Sequence, residues 1–182
     1  SELQLRCLES ISTSRDKAVQ DRLLEIALKT SNDGYFYLAL SGVEKPYPLS
    51  VFKQACQILD RLPETSEYDW GILEMIGQQF PDRAKAVYQK YLSTGSAKRA
   101  RLVCDLFRND NPLPKETKEI FLPLLDDRRE LDGFIGTMRV CDLAAIVISD
   151  TTNKIYFDHN WPLEHKDKVI RKLKTYCTTP EK

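Results

Sequence analysis

The sequence predicts an all-α protein, a short α-solenoid of antiparallel helix pairs. Three observations predict it. Apolar residues recur at helical spacing along nearly the whole chain, while strand-like alternation is almost absent. Short Pro and Gly/Ser junctions punctuate these segments and force successive helices to be antiparallel neighbours. The tetrapeptide Val103-Cys104-Asp105-Leu106 returns as Val140-Cys141-Asp142-Leu143, 37 positions on, each copy shortly after an arginine, Arg101 or Arg139. A helix pair cannot bury its apolar face alone, so stacking at a period near 37 residues would bury a continuous core.

Taken in order, the first helix is expected from Glu2 to Ser12, with Leu5, Leu8 and Ile11 on one face. A second runs from Arg15 to Thr30 behind a Ser14 cap, with Val19, Leu23, Ile26 and Ala27 in one stripe. Gly34 breaks the chain before a short helix from Tyr35 to Val43, which Pro46 and Pro48 end. The next helix, Leu49 to Arg61, carries Leu49, Phe52, Cys56 and Leu59, and stops at Pro63 and the polar turn Glu64 to Ser66. Glu67 to Phe80 follows, with Trp70, Leu73, Ile76 and Phe80 at spacings of three and four. Pro81 and Asp82 lead tightly into Arg83 to Leu92, and Gly95 and Ser96 into Ala97 to Arg108. After Asn109 to Pro114, a helix reaches Leu125, a longer loop covers Asp126 to Gly136, and a strongly apolar helix spans Thr137 to Ile148. A connector from Asp150 to Trp161 precedes a terminal helix from Pro162 to Cys177, with proline at its first turn.

Length and composition bound the alternatives. A chain of 182 residues suits one domain over 1–182 with a real core. Its start at Ser1 instead of Met also fits a portion of a longer protein. Apolar residues make up 42%, too many for disorder. Lys plus Arg balances Asp plus Glu at 27 each, so no global field recruits a polyanion or a membrane surface, and partner choice rests on local patches. No apolar run approaches the ~18 residues of a membrane span. The five cysteines, Cys7, Cys56, Cys104, Cys141 and Cys177, lie far apart inside apolar helical patterns. They read as reduced, buried small hydrophobes, which favours a cytoplasmic setting.

The stretch Pro123-Leu-Leu-Asp-Asp-Arg128, followed by Met138-Arg-Val-Cys-Asp-Leu-Ala-Ala145, resembles a HEAT repeat. It shows an aliphatic end of a first helix, Asp in the turn, a hydrophobic-Arg start to a second helix and small residues at a close crossing. The resemblance covers Phe121 to Ile148, and the insertion Arg128 to Gly136 departs from the family's tight turn. It implies a right-handed α-α superhelix, with Asp126 or Asp127 and Arg139 in ladder hydrogen bonds between repeats.

No catalytic constellation stands out. His159 and His165 lack companion ligands at metal-binding spacing, and no two cysteines form C-x-x-C. The carboxylates Asp126, Asp127, Glu130 and Asp132 sit beside Arg128 and Arg129, where mutual neutralisation is expected. Seven glycines leave little material for phosphate cradles, and none is found, nor any H-E-x-x-H or G-x-S-x-G pattern. No metal, cofactor or catalytic residue is therefore assigned, and the chain is read as a non-enzyme.

The expected role is a protein-interaction or scaffold module that presents the polar face of its second helices to a protein or peptide. Lys98, Arg101, Asp105 and Arg108 would form that face in one repeat, and Arg139, Asp142 and Ser149 in the next. Trp161, with Tyr156 and Phe157, either joins it as a hot-spot residue or plugs the end of the core, the latter being favoured. The alternative is nucleic-acid binding through the basic stretch Arg83, Lys85, Lys90, Lys98, Arg99, Arg101 and Arg108, opposed only by Asp82 and Asp105. A second basic cluster, Lys166, Lys168, Arg171, Lys172 and Lys174, is expected to form the solvated outer face of a terminal repeat.

Overall fold

The computed structural model describes residues 2–61, 66–93, 95–110, 114–131 and 137–179. Among these residues the protein is α-helical, with ten α-helices, one 3-10 segment and no strand beyond an isolated bridge between Glu130 and Arg139. The chain divides into two compact units, Ser1–Val87 and Tyr88–Lys182.

The first unit holds α1 (Glu2–Ile11), α2 (Lys17–Lys29), α3 (Asp33–Ser41), α4 (Leu49–Arg61) and α5 (Asp69–Gln79), and the unit boundary falls within α6 (Pro81–Ser93). Helix α3 packs on α1, α2 and α5, and α4 on α2 and α5. Leu23, Phe36, Val51, Ile58, Ile72 and Ile76 close the core between them.

Several helix ends differ from expectation because a better cap lies nearby. Helix α2 is capped by Asp16, whose carboxylate accepts from the Ala18 N–H at 2.8 Å, while Ser14 only accepts from the Asp16 N–H. Helix α3 begins ahead of Gly34 because Asn32 accepts from the Tyr35 N–H at 2.9 Å. Gly34 is thus no breaker. It is buried within the helix, where a Cβ would meet the Tyr68 ring at 2.8 Å. In α4 the span is as expected but the buried stripe is rotated, since Val51, Ala55, Ile58 and Leu59 face inward. Leu49 is exposed, and Phe52 is half-buried against Phe80 at 5.3 Å. Ile11 is also exposed, so the apolar face of α1 is buried mainly at Leu8. The expected turn residue Glu64 lies outside the described residues, with Pro63.

The second unit contains α7 (Ala97–Asp110), α8 (Pro114–Phe121), the 3-10 segment Leu122–Asp126, α9 (Val140–Thr152) and α10 (Leu163–Thr178). Helix α9 is the centre, packed by α7, α8, the 3-10 segment and α10, and every residue from Val140 to Ser149 is buried. An apolar run without a polar face is the signature of such an enclosed helix. Tyr88, Phe107 and Phe121 form an edge-to-face chain beside it, at 5.4 and 4.9 Å between ring centres.

Helix α8 stops short of Leu125 for a covalent reason. Pro123 has no N–H to give the Glu119 carbonyl, which instead accepts from Gln89 Nε2 at 3.4 Å, and the chain tightens into the 3-10 turn. Helix α9 starts three residues later than expected, because the preceding residues run extended beside 127–131. Leu131 N–H donates to Met138 O at 2.8 Å, Val140 N–H to Arg129 O at 3.0 Å and Cys141 N–H to Asp127 O at 2.9 Å. These bonds satisfy the first N–H groups of α9, which otherwise lack helical partners. Its far end closes on Asn153 in the left-handed region, φ 50°.

The two Val-Cys-Asp-Leu copies do not occupy equivalent places. Val103 lies in the middle of α7, whereas Val140 opens α9. The recurrence therefore does not mark a structural repeat boundary. What the packing supports is a multi-helix bundle, compatible with stacked helical repeats.

Candidate functional site

The residues expected to act together separate into a buried ion network, a set of surface pairs and an exposed aromatic cluster. Arg139, the residue before α9, turns back onto Asp142 in the helix's first turn. Its Nε donates to Asp142 Oδ2 at 3.1 Å, its Nη2 to Oδ1 at 2.7 Å, and its backbone N–H to Oδ2 at 3.1 Å. Nη2 also reaches Asp167 Oδ1 on α10 at 2.8 Å, and Arg128 bonds the same carboxylate. Lys166 Nζ lies 3.6 Å from Asp142 and donates to Thr137 O at 3.4 Å. Asp142 is 0% exposed, Lys166 4% and Arg139 8%.

Arg139 and Asp142 are accordingly not on a presented polar face, and Ser149 is buried as well, accepting from the Phe157 N–H at 3.1 Å. They are internal because α10 covers the start of α9, so their charges serve each other. The expected ladder partners of Arg139 are also different. Asp127 pairs with Arg129 at 2.5 Å and Asp126 with Lys174, while Arg139 uses Asp142 and Asp167. Asp132 and Gly136, at the end of the expected insertion, lie outside the described residues.

Hydrogen bonds from Arg139 and Arg128 hold the Asp167 carboxyl below the usual carboxylate range, against the opposing effect of burial. A carboxylate depressed in the folded state contributes stability that is complete above its unfolded value and is lost as pH falls through the folded one. Thermal melts from neutral to acid pH should therefore show a loss of stability starting within and below the carboxylate range. Asp167→Asn should melt lower at neutral pH yet lose less on acidification. An unchanged acid slope in that variant would remove Asp167 as a source of the pH dependence. Burial pushes the Cys141 thiol beside this network up to about 11 and the Cys104 thiol upward as well, so both stay protonated and inert at neutral pH. All five cysteines are unbridged, but Cys7 is exposed, and Cys56 and Cys177 are half-buried, so the expectation of five buried thiols holds only for Cys104 and Cys141.

Of the residues expected on a polar face, those of α7 are at least partly solvated. Lys98 is exposed, Arg101 lies 3.5 Å from Asp105 one helical turn on, and Arg108 lies 4.0 Å from Asp150. Arg99 is not part of it, being buried with its guanidinium 4.7 Å from the Tyr91 ring centre. In the first unit Arg83 lies over Phe52 at 5.6 Å. Much of the basic stretch is thus engaged within the chain.

Trp161 is half-buried between Phe157, which is buried, and Tyr156, which is 72% exposed. Its ring meets theirs edge-on at 6.0 and 5.6 Å and packs on His165 at 4.4 Å. Leu163 alongside in sequence is 49% exposed. Phe157 plugs the core as expected, whereas Tyr156 and one side of Trp161 do not. His159 lies 3.9 Å from Asp158 in the connector. Among the described residues no group of three His, Cys, Asp or Glu could hold a metal ion, and no helix is long and apolar enough to cross a membrane.

Sequence reasoning missed two members of the ion network, Lys166, which it placed on a solvated face, and Asp167. A signal existed for the first: Lys166, Val169, Ile170 and Leu173 fall at i, i+3, i+4 and i+7, on one buried stripe. The fold and these surfaces define an all-α, multi-helix protein compatible with helical-repeat stacking. No family model matches the chain, and no curated protein or solved structure matches it.

Proposed function

We propose that this chain is a non-catalytic interaction module that binds a protein or peptide. The observation that carries the reading is the exposed aromatic edge in the second unit, where Tyr156 stands on Trp161 with Leu163 close in sequence. Tyr and Trp offer large, rigid contact area at small entropic cost and dominate binding hot spots. The partly solvated pairs Arg101 with Asp105 on α7, and Arg108 of α7 with Asp150 of α9, supply a second polar area of the kind that rims such an interface. Stacking of helix pairs in the HEAT manner is part of this reading, supported by the packing of α7, α8 and α10 on α9. Nucleic-acid binding gains less support, because Arg99, Arg101 and Arg108 already have intramolecular partners and the chain has no net charge.

The test is affinity capture with the whole chain, comparing wild type with Tyr156→Ala and with the charge reversal Arg101→Glu. Tyr156 is largely solvated, so its truncation should leave the melting temperature nearly unchanged while removing the bound partner. Identical partner sets for wild type and Tyr156→Ala would reject the aromatic edge as the binding site. Loss with Arg101→Glu alone would move the site to α7.

A further inference from the structure

We infer that the outward ridge of α10 docks an acidic peptide segment carrying one apolar anchor residue. The inference rests on the interaction reading above and names the partner's chemistry.

Helix α10 has two unlike sides. Inward, Lys166 meets Asp142, Asp167 meets Arg139 and Arg128, and Val169, Ile170 and Leu173 fill the core, while half-exposed Lys174 pairs with Asp126 at the surface. Outward, Lys168, Arg171 and Lys172 are exposed at i, i+3 and i+4, and none of them pairs with a carboxylate among the described residues. These three cations contrast with Arg101 and Arg108 on α7 and with Lys166 and Lys174 on α10 itself, each of which has a carboxylate within reach. His165, Lys168 and Lys172 follow one another at i, i+3 and i+7 along a single face. The Trp161 ring packs on His165 at 4.4 Å and meets the Tyr156 ring edge-on at 5.6 Å. An aromatic platform therefore leads directly into a basic ridge.

The dimensions select the occupant. His165 and Lys172 are separated by about 10 Å at ~1.5 Å per helical residue. An extended chain covers that in about three residues at ~3.3 Å each. The complementary ligand is a segment with an apolar side chain on the Tyr156–Trp161 platform and two or more carboxylates beginning about three positions away. A bilayer fits less well, because an interfacial helix buries an apolar face along its whole length, and the apolar residues Val169, Ile170 and Leu173 of α10 are committed to the core.

The probe is a fluorescein-labelled peptide with one phenylalanine, a two-glycine spacer and four glutamates, followed by fluorescence anisotropy with the full chain at low salt. Expected are saturable binding that weakens with added salt, and a loss of at least about tenfold in affinity for the triple variant Lys168→Glu, Arg171→Glu, Lys172→Glu. Tyr156→Ala, or replacement of the peptide's phenylalanine by alanine, should weaken binding as well. All the substituted side chains are exposed, and circular dichroism verifies that the variants keep their fold. Equal affinity of wild type and the triple variant would overturn the inference. So would equal affinity for the peptide without phenylalanine, which would mean charge attraction alone. Cosedimentation with phosphatidylcholine–phosphatidylserine vesicles in place of peptide binding would reassign the ridge to a lipid surface. If Tyr156→Ala loses captured protein partners while the triple variant keeps them, the interaction module stands and the acidic-segment inference falls.

Discussion

Asp142→Ala is expected to destabilise the second unit by about 3–5 kcal/mol, the cost of leaving a buried ion pair half broken. Arg139 and Lys166 both lie at Asp142, and Asp142 itself is fully buried. Removing its carboxylate strands two cations in a buried site, and among the described residues Arg139 alone of the two has a second carboxylate, Asp167. The same change at Asp105, the matching letter of the other Val-Cys-Asp-Leu copy, should cost less than about 1 kcal/mol, since its contact with Arg101 is a partly solvated i,i+4 pair. Urea unfolding followed by circular dichroism provides the comparison. Equal losses for the two variants would mean that the network around Asp142 does not hold α10 on α9. A double substitution, Asp142→Leu with Arg139→Met, should recover part of the loss, because a buried pair replaced by apolar groups costs less than one broken on one side.

Phe107→Ala should be comparably damaging, at about 3–5 kcal/mol. Phe107 is fully buried between Tyr88 and Phe121, so truncation removes two edge-to-face contacts together with the largest part of its buried surface. Phe107→Leu, which retains most of the volume, should lose clearly less. The chain's two tryptophans allow a local readout, since Trp70 lies in the first unit and Trp161 in the second. With Trp70→Phe as background, Trp161 fluorescence reports unfolding of the second unit, and its urea midpoint should fall steeply in Phe107→Ala. A midpoint shift worth less than about 1 kcal/mol would show that the aromatic chain is not a stabilising part of that core.

Both expectations turn on the contrast between local pattern and tertiary environment. The stripes Leu23 and Ala27 in α2, and Leu73 and Ile76 in α5, were legible because an isolated amphipathic helix already shows which side must leave water. The enclosed helix α9 was equally legible as a continuous apolar run. Its start was not. Residues Met138 and Arg139 look helical by composition, but 127–131 offers carbonyls that take the N–H groups of Val140 and Cys141. That choice depends on a chain segment about ten residues away, beyond the reach of local periodicity.

The candidate site divides along the same line. Trp161 and Tyr156 were visible as aromatics in a connector, and the structure places them at the surface with Phe157 beneath. Arg139 was visible as a structural arginine, but its partners were not. Asp142 is a local partner, three residues on in the first turn of α9, whereas Asp167 could be found only once α10 was laid over that turn. The same docking separates Lys166 from Lys168 and Arg171, although all belong to one basic run.

By itself, then, the sequence determined that this protein is helical, where most helices lie, and which residues supply much of the core, because periodicity, proline and glycine act over a few residues. Only the tertiary structure decided which charges are internal and which face solvent. A charged side chain can be buried wherever compensating groups arrive from another element, as for Asp142, Arg139 and Lys166, and remains at the surface where none arrives among the described residues, as for Lys168, Arg171 and Lys172.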